Sequence, residues 1–479
     1  MRQPITPPAP SAHGTRAALA AAALWAACLP ALAQAPAAPD TATPGVAAPA
    51  AVADTPVQRG RYLATAGDCV ACHTAPGGAP MAGGLAMATP LGPIYSTNIT
   101  PSKTHGIGNY TLEQFSAVLR HGKRADGALL YPAMPYTAYA RISDADIADL
   151  YAYFMQGVAP VDAGPPATDL PFPFIRPAML AWNLLFHDAK PYQPNAQQSP
   201  EWNRGAYLTQ GLAHCGTCHT PRNPFMAEDN GRLLAGAELG GWYAPNITPD
   251  ATDGIGQWSP QELVRYMRGG IVAGKATTGG PMAEAIDHSL HQLTEGDLHA
   301  IASYLLSVPA VSEGSRQPAF SWGQARDDLA SVRGQPVPAL TAMNGAQLYD
   351  AFCASCHQAQ GQGSGDGRLP ALFHNTRLGR ANTNNLVLSI LQGVPRYGRD
   401  SIMPAFAQEL DDAQVATLAN YLLQNYGNPD AKVHAEQVHR LRAGTPVDQR
   451  LLTVVRWGLG LGVLALLLFG IWLVARIRR

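Results

Sequence analysis

The chain is poor in charge. Asp, Glu, Lys and Arg make up 14% of its 479 residues, and 34 acidic against 33 basic side chains leave a formal net charge of −1. There is no basic excess to grip a phosphate backbone, so nucleic acid is not an expected partner. The signatures of self-contained catalysis are missing too: no glycine fingerprint for a dinucleotide, no HExxH and no GxSxG. Substrate oxidation is therefore not expected on this polypeptide, which reads as a non-catalytic component. Cysteine is scarce, at seven residues, whereas 47 glycines and 41 prolines indicate loop-rich domains.

Six of the seven cysteines fall in three copies of Cys-x-x-Cys-His: Cys69-Val70-Ala71-Cys72-His73, Cys215-Gly216-Thr217-Cys218-His219 and Cys353-Ala354-Ser355-Cys356-His357. Two thiols one helical turn apart can form thioethers with the two vinyl groups of one porphyrin, while the adjacent histidine reaches the iron. Zinc knuckles and redox disulfides share the CxxC spacing. A structural zinc site, however, usually needs two knuckles close in sequence, and a thioredoxin-like site needs neither the histidine nor repetition. The expectation is three covalently bound haem c groups, anchored by Cys69, Cys72, Cys215, Cys218, Cys353 and Cys356, with His73, His219 and His357 on the irons. A buried porphyrin would also supply core that loop-rich domains otherwise lack.

The sixth iron ligand separates a carrier from an enzyme, because an open position binds peroxide, oxygen or carbon monoxide. Methionine is the usual distal partner and raises the potential. Candidates downstream of each motif and before the closing helix are Met134 in Tyr131-Pro132-Ala133-Met134-Pro135, Met282 in Gly280-Pro281-Met282, and Met403 in Ile402-Met403-Pro404. Each lies beside a proline, which restricts the backbone and suits a rigid ligand loop. Met81, Met87 and Met226 are rivals close to the motifs, and His121, His214 and His288 are alternative ligands.

Internal repetition supports the division into units. Asn98-Ile99-Thr100-Pro101 recurs as Asn246-Ile247-Thr248-Pro249, and Arg59-Gly60-Arg61-Tyr62-Leu63 is echoed by Arg204-Gly205-Ala206-Tyr207-Leu208. Met134 and Met282 have the same separation as the two asparagines. The third unit lacks the Asn-Ile-Thr-Pro stretch but keeps the order of helix, CxxCH, loop and helix. Each unit closes with an aliphatic and tyrosine-rich segment, Ile142 to Met155, Leu293 to Leu306 and Leu410 to Leu423, expected to be helical with acidic first turns.

The ends address the chain. Arg2 and Arg16 precede the alanine-rich run to Cys28, and Ala31-Leu32-Ala33 supplies a small-residue cleavage pattern, as in a signal peptide. Trp25-Ala26-Ala27-Cys28 loosely resembles a lipoprotein site, so lipidation is the alternative to a cleaved Cys28. From Trp457 to Ala475 no residue is charged, and Arg476, Arg478 and Arg479 follow. This predicts a transmembrane helix with a cytoplasmic end, or else an in-plane helix. The resulting boundaries are signal peptide 1–33, linker 34–55, domain 56–160, linker 161–200, domain 201–309, linker 310–339, domain 340–428, juxtamembrane segment 429–456 and transmembrane helix 457–475.

Gly67 to Thr74, Tyr95 to Pro101, Leu130 to Tyr136, Leu170-Pro171-Phe172-Pro173-Phe174, His214 to Asn223 and Gly280 to Glu284 together resemble the triheme cytochrome c subunits of bacterial membrane-bound dehydrogenases. The resemblance covers nearly the whole mature chain. It implies an all-α fold of three tandem class I cytochrome c domains with a C-terminal transmembrane helix, in which small and aromatic residues let the first and last helices cross closely. It also implies axial pairs His73 with Met134, His219 with Met282 and His357 with Met403. The partners it implies are a catalytic dehydrogenase subunit, foremost a flavoprotein oxidising a sugar, polyol or sugar acid, a small accessory subunit, ubiquinone and the cytoplasmic membrane, with the haem domains in the periplasm. A quinoprotein alcohol dehydrogenase partner, or direct donation to a terminal oxidase, is the alternative.

Overall fold

A computed structural model describes residues 55–444, except Pro90, 172–174, 366–368 and 395–402, together with Thr453, Trp457, Gly458, Leu461, Leu468, Phe469, Trp472 and Arg476. The segment 1–33 expected to be a signal peptide, including Cys28, lies outside the described residues.

Three helix-led repeats succeed one another. The first opens with Pro56–Ala66 and closes with Asp144–Gln156; the second opens with Pro200–Tyr207 and closes with Glu295–Leu305; the third opens with Gly345–Phe352 and closes with Asp412–Tyr426. Local sequence sets these boundaries. Thr55 with Gln58 and Asn344 with Gln347 form capping boxes, Pro56 and Pro200 occupy first-turn positions, and Ser143, Thr294 and Asp411 cap the closing helices.

The opening and closing helices of each repeat cross at a glycine. A Cβ on Gly60 would collide with the Asp149 carbonyl oxygen and Tyr153, one on Gly205 with the Ala300 carbonyl oxygen and Tyr304, and one on Gly345 with Tyr421. The lost side chain is what permits backbone-to-backbone approach.

The repeats do not each own a core. Leu63, Ile142 and Leu150 of the first and Leu208, Leu212 and Leu298 of the second belong to one cluster of buried side chains. The third has its own, around Leu348, Leu386, Leu418 and Leu423. A pair of reciprocal contacts locks the first two. The Tyr62 hydroxyl donates to Asp297 Oδ2 at 2.5 Å and accepts from the Thr294 amide at 3.2 Å. The Tyr207 hydroxyl donates to Asp146 and accepts from the Ser143 amide at 3.1 Å. Each tyrosine thus caps the first turn of the other repeat's closing helix, as the two halves of an isologous interface do. Arg204 completes one side with two 2.8 Å bonds to the buried Asp297 carboxylate.

The third repeat docks through polar groups. Asn385 and the Tyr243 backbone exchange two 2.8 Å bonds, and the Thr376 amide donates to Lys275 O at 2.8 Å.

Between the first two repeats, helix Ile175–Phe186 is a clasp rather than a tether. Asn183 accepts from Tyr136 at 2.7 Å, the Trp182 indole donates to Phe225 O at 2.9 Å, and Arg176 stacks 4.3 Å from the Tyr131 ring centre. Leu180, Leu184 and Leu185 on this helix remain exposed.

The expected fold class needs two corrections. The chain is not purely helical, since among the described residues three two-stranded antiparallel ribbons, Ala86–Met87 with Ile94–Tyr95, Ala237–Leu239 with Trp242–Ala244, and Ile271–Val272 with Ala276–Thr277, lie between the helices. The C-terminal transmembrane helix is not supported either: among the described residues no helix is long and apolar enough to cross a membrane, and most of 457–475 lies outside them. Lack of charge bounds the length of such a segment but does not by itself establish an unbroken helix of about 20 residues.

Candidate functional site

Each CxxCH motif forms a single helical turn at the end of its opening helix: Cys69–Cys72, Cys215–His219 and Ala354–His357. In the first two, a left-handed residue, Asp68 at φ 51° or His214 at φ 34°, reverses the chain just before the first cysteine. Burial pushes Cys69, Cys215 and Cys353 up to about 12 and Cys72 up to about 11. Such environments suit a sulfur held in a covalent bond better than a reactive thiolate.

All three motif histidines are held the same way. His73 Nδ1 bonds Thr97 O at 2.6 Å, His219 Nδ1 bonds Pro245 O at 2.6 Å, and His357 Nδ1 bonds Pro370 O at 3.1 Å. A carbonyl accepts, so Nδ1 carries the proton and Nε2 keeps its lone pair for a metal. Burial lowers the basicity of all three, favouring the neutral ring that a metal requires.

In the third repeat the expected residues converge. Cys353, Cys356, His357 and Met403 line one cavity of about 290 Å³, walled also by Leu386 and Phe406. This donor set, a fixed imidazole and a thioether in one apolar cavity, fits a haem c. The loop carrying Met403 is pinned by the Val394 amide donating to Met403 O at 3.0 Å.

Met134 and Met282 are half-buried against the shared core, as are Cys69 and Cys215. Met134 precedes helix Tyr136–Tyr139, whereas Met282 sits in the first turn of helix Pro281–His288, not in a loop. Among the rivals, Met226 is exposed, Met81 is buried and Met87 lies on a ribbon strand. His121 is exposed, His288 ends the helix that bears Met282, and the His214 ring stands edge-on 5.5 Å from Tyr139.

The first two motifs approach one another across the shared interface. The Cys218 thiol is among the groups that raise Cys72, and Glu284 and Asp287 of the second repeat add to the burial that raises Asp68 to about 8.

In the sequence the Asn-Ile-Thr-Pro stretch stands out as a repeat marker and as part of the family resemblance, with no structural role visible. Asn98 Nδ2 donates to Val161 O at 2.8 Å while its Oδ1 accepts from the Thr100 amide at 2.9 Å; Asn246 bonds Val311 O at 2.7 Å and the Thr248 amide at 2.8 Å. The motif ties the chain leaving each closing helix back onto its repeat. Recurrence of a buried-type polar residue beside threonine was the available signal. No local pattern marks Arg377, whereas Tyr62 and Tyr207 recur in the Arg-Gly-x-Tyr-Leu stretch, which shows their equivalence but not their partners in the other repeat.

The fold and the three CxxCH turns define a cytochrome built of c-type domains. Residues 342–425 match the family model described as cytochrome c, and residues 55–154 that of subunit III of the cbb3-type cytochrome c oxidase. The chain is 51% identical over 403 residues to the fructose dehydrogenase cytochrome subunit of Gluconobacter japonicus, covering 81% of this chain and 83% of that one. It is 41% identical to the gluconate 2-dehydrogenase cytochrome c subunit of Pantoea cypripedii, covering 82% and 91%. Identity is 39% to the cytochrome c subunit of the quinone alcohol dehydrogenase of Gluconobacter oxydans, covering 82% and 83%. The chain belongs to this family of dehydrogenase cytochrome c subunits.

Proposed function

We propose that this chain is the electron-transfer subunit of a membrane-bound dehydrogenase complex, taking electrons from a separate catalytic subunit and passing them to ubiquinone. The observation that carries this reading is the 51% identity, over most of both chains, to a fructose dehydrogenase cytochrome subunit. The same likeness favours a flavoprotein partner acting on a sugar, polyol or sugar acid, working on the exported face of the bacterial cytoplasmic membrane with a small accessory subunit. The match to an oxidase subunit model covers only the first repeat and so speaks for the domain type, not for an oxidase as acceptor.

Within this reading the chain holds three haems c, each a one-electron couple. Cys69 and Cys72, Cys215 and Cys218, and Cys353 and Cys356 anchor them. His73 with Met134, His219 with Met282, and His357 with Met403 supply the axial atoms. The histidines are kept neutral by burial and oriented by the Thr97, Pro245 and Pro370 carbonyls. The protein's contribution is spacing and tuning rather than bond-making.

Affinity purification of the tagged chain from native membranes tests the proposal. A stoichiometric flavoprotein dehydrogenase, with three haems per cytochrome chain by pyridine haemochrome, is expected. Recovery with a quinoprotein would redirect the partner, and recovery with a terminal oxidase alone would overturn the function.

A further inference from the structure

Arg377 belongs to the third repeat, in helix Thr376–Gly379, yet its side chain reaches the second. Its guanidinium donates to Thr277 O at 3.0 Å, and a Cβ placed on Gly279 would lie 2.6 Å from the same nitrogen. The site is built from both sides. Asn375 Oδ1 accepts from the Arg377 amide at 3.0 Å, and the Thr376 amide bonds Lys275 O at 2.8 Å.

The guanidinium also lines the cavity that holds Cys353, Cys356, His357 and Met403, whose far wall includes Ile271 and Thr277 of the second repeat. Among the described residues, no carboxylate forms an ion pair with Arg377. Burial lowers it to about 10, the direction taken by a cation without a close anion. A guanidinium has five N–H donors, and the Thr277 carbonyl is the acceptor it has met. Buried charge of this kind is stable when a hydrogen-bonding counter-charge faces it.

We propose that Arg377 is the counter-ion of a haem propionate in the third cavity, gripping the carboxylate through its fork while Thr277 fixes the guanidinium from the second repeat. A planar fork matches a carboxylate bidentately, and a propionate is the one anion that a haem c necessarily brings into the cavity. The cation beside the porphyrin edge favours the reduced, more negative state. Contact with Thr277 makes the third site's potential depend on how the second and third repeats dock. This inference rests on the reading of the third cavity as a haem site.

The test uses the full chain, wild type and Arg377→Gln, with covalent haem counted first and the potentials then read by optical redox titration. Three haems in the wild type secure the underlying reading, and fewer than three would refute that reading separately. With three haems retained in the variant, one potential is expected to fall by about a tenfold change in its reduction equilibrium, about 59 mV for one electron. Three unchanged potentials would overturn the role of Arg377. If Arg377→Gln loses haem, Arg377→Lys decides, because it keeps the charge but not the fork. The propionate-bending bands in resonance Raman spectra are then expected to shift, and unshifted bands would overturn the proposal.

Discussion

Asp68 stands one residue before the first motif cysteine, in a left-handed turn, with its Oδ1 buried and, among the described residues, without a hydrogen-bond partner. Burial first, and the Glu284 and Asp287 charges after it, push its carboxyl to about 8, against 3.8 ordinarily. A raised folded-state value means that the stabilising contribution is complete below the unfolded value and is lost as pH rises towards 8. Replacing Asp68 by Asn removes the group that must lose this proton. The melting temperature of Asp68→Asn should therefore gain on wild type between pH 5 and pH 8, by on the order of 2–4 °C for each kcal/mol; thermal melts at the two values check the sign, and a gap that narrows would contradict it. At this scale the sequence was informative where chemistry is local. The thiol spacing and adjacent histidine are contiguous, so they could be read directly. The carbonyls that bond each imidazole, Thr97, Pro245 and Pro370, lie far along the chain and carry no side-chain signal.

At the level of elements, the closing helices were legible because their apolar periodicity and acidic first turns are consecutive. The structure places them at Asp144–Gln156, Glu295–Leu305 and Asp412–Tyr426, within a few residues of the expected segments. The glycine crossings were implied by the family resemblance rather than by this periodicity. Gly205 packs against Ala300 O where no Cβ can be accommodated, so Gly205→Ala should cost about 1–3 kcal/mol through overpacking. Denaturant titration of holo-protein would show it as a lower midpoint at unchanged slope. The ribbons escaped sequence reading because strands of two or three residues cannot display alternation. The C-terminal segment was over-read, since an uncharged stretch of that length was taken for an unbroken spanning helix, whereas among the described residues no helix is long and apolar enough to cross a membrane.

For the whole molecule, duplicated sequence suggested independent domains, while the structure merges the first two repeats over one core. Short repeats bury little surface alone, and the joining contacts link residues such as Tyr62 and Asp297, which are 235 positions apart. Nothing in a linear motif reports such pairing. Scanning calorimetry should accordingly resolve two unfolding transitions, one for residues 55–308 and a second for the third repeat, whose interface is polar. Three transitions would show that the shared core does not couple the repeats. The aromatic linker contributes to this coupling through Asn183 and Trp182.

The reciprocal tyrosine contacts have the geometry of a homodimer written into one polypeptide. A true homodimer must change both copies of an interface residue together, so its two sites stay alike. Here each copy mutates alone: Arg204 shares Asp297 with Tyr62, whereas Arg59 bonds Asp149 and leaves Asp146 to Tyr207. Fusion has kept the symmetric scaffold while freeing its halves to diverge, so two equivalent positions can acquire different electrostatic surroundings without loosening the join between them.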